Sequence, residues 1–274
     1  MLRIIVALAL AGSLLGLGAV APAAAAEEQP APPRQKWSFS GPFGSYDRGQ
    51  LQRGFKVYRE VCQVCHGLKM VAFRSLTELG YSEAQVKAIA AEYKVQDGPN
   101  DQGEMFEREG RPADYFPPPW PNENAARARY NGVPPDFSVL AKARGYERGF
   151  PWFVFDMFTQ YQEQGLDYIH ALLTGYEEQP PADVKLPSGT FYNKYFPGHA
   201  IAMPPPLTDK RVEYGDGSPT TVDQYSKDVT AFMMWAAEPH LEARKRIGFQ
   251  VMIFLIVFAS LLYFTKKRVW AAAH

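Results

Sequence analysis

Cys62-Gln63-Val64-Cys65-His66 concentrates the reactive chemistry of this chain, because it holds the only two cysteines among 274 residues and follows them directly with an imidazole. Two thiols at C-x-x-C spacing stand about one helical turn apart, which suits addition across the two vinyl groups of a single haem. The next residue then turns its imidazole toward the iron from one face. Two other chemistries use a C-x-x-C pair. A structural zinc ion wants four ligands, and the chain offers no second cysteine pair. A thioredoxin-like redox site needs a βαβ setting. Here Leu51, Phe55, Tyr58 and Val61 recur every three or four residues, the period of a helix. A chance occurrence is a weak account of a motif that consumes every cysteine present. The spacing predicts one covalently attached c-type haem, with Cys62 and Cys65 as its anchors and His66 as an iron ligand.

An electron-transfer haem in its low-spin form takes a second axial ligand, usually methionine or histidine. Beyond His66 the histidines are His170, His199, His240 and His274, the last two flanking a long apolar segment. Among the methionines, Met203 lies in Ile201-Ala202-Met203-Pro204-Pro205-Pro206. Three prolines prevent a helix and stiffen the loop, and a stiff loop sustains a weak iron–thioether bond. Met70, Met105 and Met157 lack such a setting, His199 is the nearest rival, and plain core packing is the ordinary use of a methionine. Methionine–histidine ligation raises the potential relative to two histidines. It also saturates the iron, which argues against oxygen or peroxide chemistry.

Hydrophobic residues make up 46% of the chain and charged ones 21%, an ordinary globular composition. The net charge of +0 gives no basic signal for nucleic acid. Arg3, an apolar run from Ile4 to Val20 and the small residues Ala21 to Ala26 read as a signal peptide over residues 1–26. A second apolar run goes from Ile247 to Phe264. As a helix this run is long enough to cross the hydrocarbon core of a bilayer. Arg244-Lys245-Arg246 and Lys266-Lys267-Arg268 flank it, so the positive-inside rule alone does not orient it. The signal peptide does: the body is expected in the periplasm, and the tail from Lys266 to His274 in the cytoplasm. Tyr263 and Trp270 suit the membrane interface.

The elements between these ends follow from periodicity and punctuation. Residues 27–48 read as an extended lead-in, and the haem domain as residues 49–240, followed by the anchor and tail over 241–274. Helices are expected from about Gly49 to Val61, from Ser82 to Tyr93 behind a Ser82/Gln85 capping box, from Leu166 to Leu173, and from a Thr221 cap to Ala237. Residues 97–121 read as an acidic loop. The aromatic stretch from Phe150 to Tyr161 is expected to pack on its own domain. No repeat and no run of alternating strands is visible. The predicted fold is mainly α, a cytochrome c-like domain with long loops and insertions plus one C-terminal transmembrane helix.

Several blocks occur in an order that resembles the cytochrome c1 family, the haem subunits of quinol–cytochrome c oxidoreductase (cytochrome bc1) complexes. They are Arg53 to Cys62, Ala125-Ala126-Arg127 with Asn131 to Ser138, Leu172-Leu173-Thr174-Gly175-Tyr176, Tyr195 to Pro205, and Trp235 to Pro239 ahead of the anchor. The likeness runs over roughly residues 40 to 270. It implies that Met203 is the second axial ligand, that Arg144 pairs with a haem propionate, and that Tyr168 lies near the haem. It also implies a one-electron relay that is no enzyme by itself. The donor would be a Rieske iron–sulfur subunit, the neighbour cytochrome b, and the acceptor a soluble or tethered cytochrome c steered by Asp101, Glu104, Glu107, Glu177 and Glu178. Two features depart from the family pattern: Tyr130 stands where many members have asparagine, and Gly145 to Gly165 resembles a bacterial insertion. An independent membrane-tethered carrier or a terminal-oxidase haem subunit is the alternative, although such proteins commonly carry their anchor at the N-terminus. A peroxidase would call for a second haem motif or an open iron position.

Overall fold

The computed structural model describes residues 30–271 apart from 131, 146–148, 160 and 183, and leaves the side chains of 157–159 undescribed. The expected signal peptide, His274 and the Met157 side chain therefore fall outside the described residues. The described chain is mainly helical, with two small antiparallel ribbons and long connections.

Helix α1 (Arg48–Glu60) begins where the Asp47 side chain accepts the Gln50 amide, one of the donors a helix start leaves open. Its apolar face, Leu51, Phe55 and Tyr58, is buried against α7 (Val222–Ala237), which the Thr221 hydroxyl caps. Phe232 of α7 lies 5.5 Å from the Phe55 ring and 5.7 Å from Tyr58. The two backbones approach so closely at Gly54 that a Cβ there would stand 2.1 Å from the Asp228 carbonyl oxygen. Beside this contact Arg53 Nε donates to the fully buried Asp228 carboxylate at 3.0 Å, and Gln224 donates to its other oxygen at 2.8 Å. A buried carboxylate so satisfied is tolerable, and one without its arginine would not be.

Helix α2 (Glu83–Ala91) starts at the predicted Ser82/Gln85 capping box. It ends sooner than expected, because Lys94–Asp97 (β1) pairs antiparallel with Phe106–Glu109 (β2) inside the stretch expected to be loop. The strands are mostly exposed and lack an apolar alternation, so periodicity could not reveal them. Arg108 instead ties Asp97 to Asp114, with 2.9 Å between Nη2 and Asp114 Oδ1. Helix α3 (Glu123–Tyr130) was hidden for the same reason, since only Ala126 is buried. A short helix α4 (Leu140–Ala143) leads, after an excursion carrying α5 (Trp152–Thr159), to α6 (Gln164–Thr174). Gly165 lets α6 pass under α4: a Cβ there would meet the Ala141 carbonyl oxygen at 2.1 Å. The second ribbon pairs β3 (Phe191–Tyr192) with β4 (Ala200–Ile201).

The lead-in is extended, and its Trp37 and Phe39 are buried in the core. Asp167 of α6 fastens it, accepting from Trp37 Nε1 at 2.9 Å and the Gln35 amide at 3.0 Å, and from the Tyr161 hydroxyl. The aromatic stretch does not pack as expected: Phe150, Trp152, Phe153 and Phe155 are all exposed by half or more.

Helix α8 (Leu241–Ala271) has 31 residues, with a mean hydropathy of 2.3 over its most apolar window, none of which is buried. It is the single-pass anchor candidate, and it extends through both basic flanks because lysine and arginine are good helix formers. Three residues, Tyr46, Lys245 and Phe43, join its first turns to the domain. The Tyr46 amide donates to Glu242 Oε1 at 2.7 Å, while its hydroxyl donates to the Glu238 carbonyl at 3.0 Å. Lys245 Nζ donates to the carbonyls of Phe39 and Gly44. The Phe43 ring meets Phe249 edge-on at 5.6 Å.

Candidate haem site

The chain leaves α1 at Val61 and enters a tight 3-10 turn over Cys62–Val64, in which the amides of Cys65 and His66 both donate to the Cys62 carbonyl, at 3.1 and 2.9 Å. This turn places the two free thiols and the imidazole in one short arc. Tyr93 donates to Gln63 at 2.7 Å and Tyr58 to the His66 carbonyl at 3.1 Å, so α1 and the bend after α2 both hold the arc.

His66 is oriented from outside the motif. Its Nδ1 lies 2.7 Å from the Pro135 carbonyl oxygen. A carbonyl can only accept, so Nδ1 carries the proton and Nε2 presents a lone pair. The imidazole ring lies 4.6 Å from that of Phe137. The Pro134–Ser138 segment is stapled there by Asp136, whose carboxylate accepts the amides of Lys69 at 3.0 Å and Ser138 at 2.9 Å. Burial lowers the His66 pKa against the opposing pull of the Pro135 carbonyl and Asp136. The imidazole is thus kept neutral, the form that binds a metal. Burial first, and then the neighbouring Cys65, pushes the Cys62 thiol up to about 12. Among the described residues no three of His, Cys, Asp and Glu converge as a metal-ligand group, which leaves zinc short of the four ligands it takes.

Two aromatic residues without a sequence signal cover the arc. Trp120 Nε1 donates to the Cys65 carbonyl at 3.3 Å, and the Trp120 and Tyr130 rings meet at 5.1 Å. A hydrogen bond with Cys65 is the main cause of a raised Tyr130 pKa, so the residue that departs from the family pattern stands beside one of the two motif thiols.

Met203 is half-buried just after β4, and Tyr176 donates to its carbonyl at 3.0 Å. His199, the rival, is engaged elsewhere: its ring stacks on Tyr192 at 5.6 Å, and Nδ1 lies 3.2 Å from the Asn193 carbonyl. His170 is committed to Ser226 at 2.8 Å and Asp223 at 3.3 Å. Met70 and Met105 are exposed. Tyr168 is buried, and burial raises its pKa while the Arg144 guanidinium draws it back down. Tyr176 feels Tyr168 in turn. Arg144, Tyr168 and Tyr176 thus feel one another electrostatically, and of the three Tyr176 contacts Met203, through its main-chain carbonyl. Arg144 is exposed, donates to the Ala143 carbonyl at 3.3 Å, and has no carboxylate partner among the described residues. That suits a guanidinium awaiting an anionic group. The set of groups fits a haem by its chemistry: two thiols outside any disulfide, a tautomer-fixed imidazole, a thioether on a pinned loop, and a cation without a carboxylate among the described residues.

Comparison with known proteins gives the same answer. The Cytochrome C1 family profile matches residues 37–273. Cytochrome c1 of Blastochloris viridis is 52% identical over 274 residues, covering 98% of this chain and 96% of that protein. Cytochrome c1 of Rhodospirillum rubrum is 43% identical, covering 96% of each. Cytochrome b/c1 of Bradyrhizobium diazoefficiens is 64% identical over 273 residues, and there the chain spans only 40% of the relative's length. With the motif, the oriented imidazole and matches of this extent, the chain belongs to the cytochrome c1 family.

Proposed function

We propose that the chain is a membrane-anchored relay within a quinol–cytochrome c oxidoreductase. It takes one electron at a time from a Rieske iron–sulfur subunit and passes it to a soluble or tethered cytochrome c. In this reading the haem domain is periplasmic beside cytochrome b, residues 1–26 are a signal peptide, and the tail after α8 is cytoplasmic.

The observation that carries the reading is the fixed His66: its proton is held on Nδ1 by the Pro135 carbonyl, beside two thiols on one turn. The covalently attached haem supplies a one-electron couple at its iron. His66 and Met203 would ligate its iron, Cys62 and Cys65 would attach it, Arg144 would pair with a propionate, and Tyr168 would lie near it. The chain's own task is to keep these groups still. Pro204 to Pro206 stiffen the Met203 loop, Tyr176 fastens it, and Asp136 staples the wall behind His66. Little of the site then needs to rearrange when charge changes by one.

Detergent-solubilised protein should copurify with a b-type cytochrome and an iron–sulfur protein, and the preparation should reduce cytochrome c with quinol. Recovery of the chain alone, with no such activity, would favour the independent tethered carrier. Asp101, Glu104, Glu107, Glu177 and Glu178 are all exposed, as a steering surface for a basic carrier requires. Reversing these charges should slow cytochrome c reduction several-fold at low salt and flatten its ionic-strength dependence. An unchanged rate and salt dependence would remove them from the docking surface.

A further inference from the structure

The segment from Arg144 to Gly165 carries α5, and its base lies at the mouth of the anchor. On the outgoing side Lys142 Nζ pairs with Glu238 at 2.5 Å, and Glu238 in turn pairs with Arg244. On the returning side the charge of Glu163 acts on Lys245. Gly165 closes the base by lying against the carbonyls of Ala141 and Arg144. Lys245 stands two residues before Ile247, where the apolar run begins.

Helix α5, carried on this excursion, has its polarity reversed. Its acidic residue Asp156 is buried, paired with Arg34 at 3.6 Å and with Gln164 at 3.0 Å. Trp152, Phe153 and Phe155 on the helix, and Phe150 just before it, face outward: Phe150 is 83% exposed, Phe153 56%, Phe155 54% and Trp152 51%. A surface helix in water shows the opposite arrangement, and four clustered aromatics exceed the scattered exposure of a monomer. Arg34 also lies 3.9 Å over the Tyr161 ring. The same lead-in that carries Arg34 continues to Phe43, whose ring rests against Phe249 within the apolar run. That contact sets Phe43 beside the start of the apolar run.

We propose that the excursion carrying α5 is a membrane-surface element, with Phe150, Trp152, Phe153 and Phe155 set into the lipid headgroup region next to the anchor. Lipid suits this patch because it grows from the point where the anchor enters the bilayer. Phenylalanine and tryptophan are also the side chains that settle at that depth. The inference rests on the anchor and not on the route of the electron, so either can fail while the other stands.

The test uses the full-length, haem-loaded chain in lipid nanodiscs. Both native thiols are consumed by haem attachment, so Phe153→Cys offers a single site for a nitroxide label, and Glu104→Cys on the exposed ribbon serves as an aqueous reference. Haem absorbance should match the wild type in both variants, because both positions are exposed. Power saturation should give a several-fold higher ratio of oxygen to nickel-chelate accessibility at position 153 than at 104. Equal ratios would overturn the proposal. A position 153 that is aqueous in nanodiscs, and shielded from both agents only when the copurifying subunits are present, would also overturn it by assigning the patch to a protein surface.

Discussion

Replacing Met203, the proposed second iron ligand, with leucine should lower the midpoint potential of the haem by on the order of 0.2 V, a sizeable part of the ~0.8 V range that axial ligands command. The thioether favours ferrous iron, and leucine offers no donor in its place. The loop should keep its shape in the variant. Its stiffness comes from Pro204 to Pro206 and from the Tyr176 hydrogen bond to a main-chain carbonyl, neither of which involves the Met203 side chain. A redox titration reads the shift, and loss of the methionine–iron absorption reports the ligand directly. His199→Ala should leave both nearly unchanged, because that ring is engaged with Tyr192 and Asn193. An unaltered potential in the leucine variant would sink the assignment, and a collapse in the His199 variant would transfer it.

Gly54→Ala should destabilise the domain by about 3 kcal/mol, the upper range for overpacking a tight interior. The added Cβ would stand 2.1 Å from the Asp228 carbonyl and 2.7 Å from the Phe232 Cβ, so α1 and α7 must separate. Separation would also pull Arg53 away from the buried Asp228. Alanine is intrinsically the better helix former, which makes a loss of stability diagnostic of the crossing. Urea titration of the haem-loaded protein measures it. Gly215→Ala, with nothing within 4 Å of its added Cβ, should be near neutral. Equal stability of Gly54→Ala and wild type would contradict the close crossing.

What could be read from the sequence was whatever local rules encode. The helices behind Asp47, Ser82 and Thr221 combine a cap with an apolar stripe, and the structure starts them within a residue or two of expectation. The β1–β2 ribbon and α3 have no such stripe, being held by Arg108 and by single small contacts. Cys62, Cys65 and His66 are legible because covalent chemistry fixes their spacing. The groups that tune His66 are not. Pro135 acts through a main-chain carbonyl from a distant part of the chain, and any residue type could supply that oxygen. Asp136 is one residue of a block that carries the family resemblance, and its role as a staple appears only when residues 67–70 lie alongside that block. Trp120 and Tyr130 carry no spacing rule at all. For the aromatic stretch, composition alone suggested a core, since it does not say which face of a helix carries the buried carboxylate.

Tyr46, Lys245 and Phe43 together turn the anchor from a leash into a mount. A domain on a flexible tether sweeps a volume and finds its partners by wandering. One clamped at the first turns of its membrane helix inherits the tilt and azimuth of that helix, and offers the same side to the bilayer at all times. Collision geometry is then fixed in advance on one side of every encounter. In the proposed relay the donor and the acceptor would then do the travelling, and the time each spends in transit, more than any adjustment within this chain, would set the pace of traffic through it.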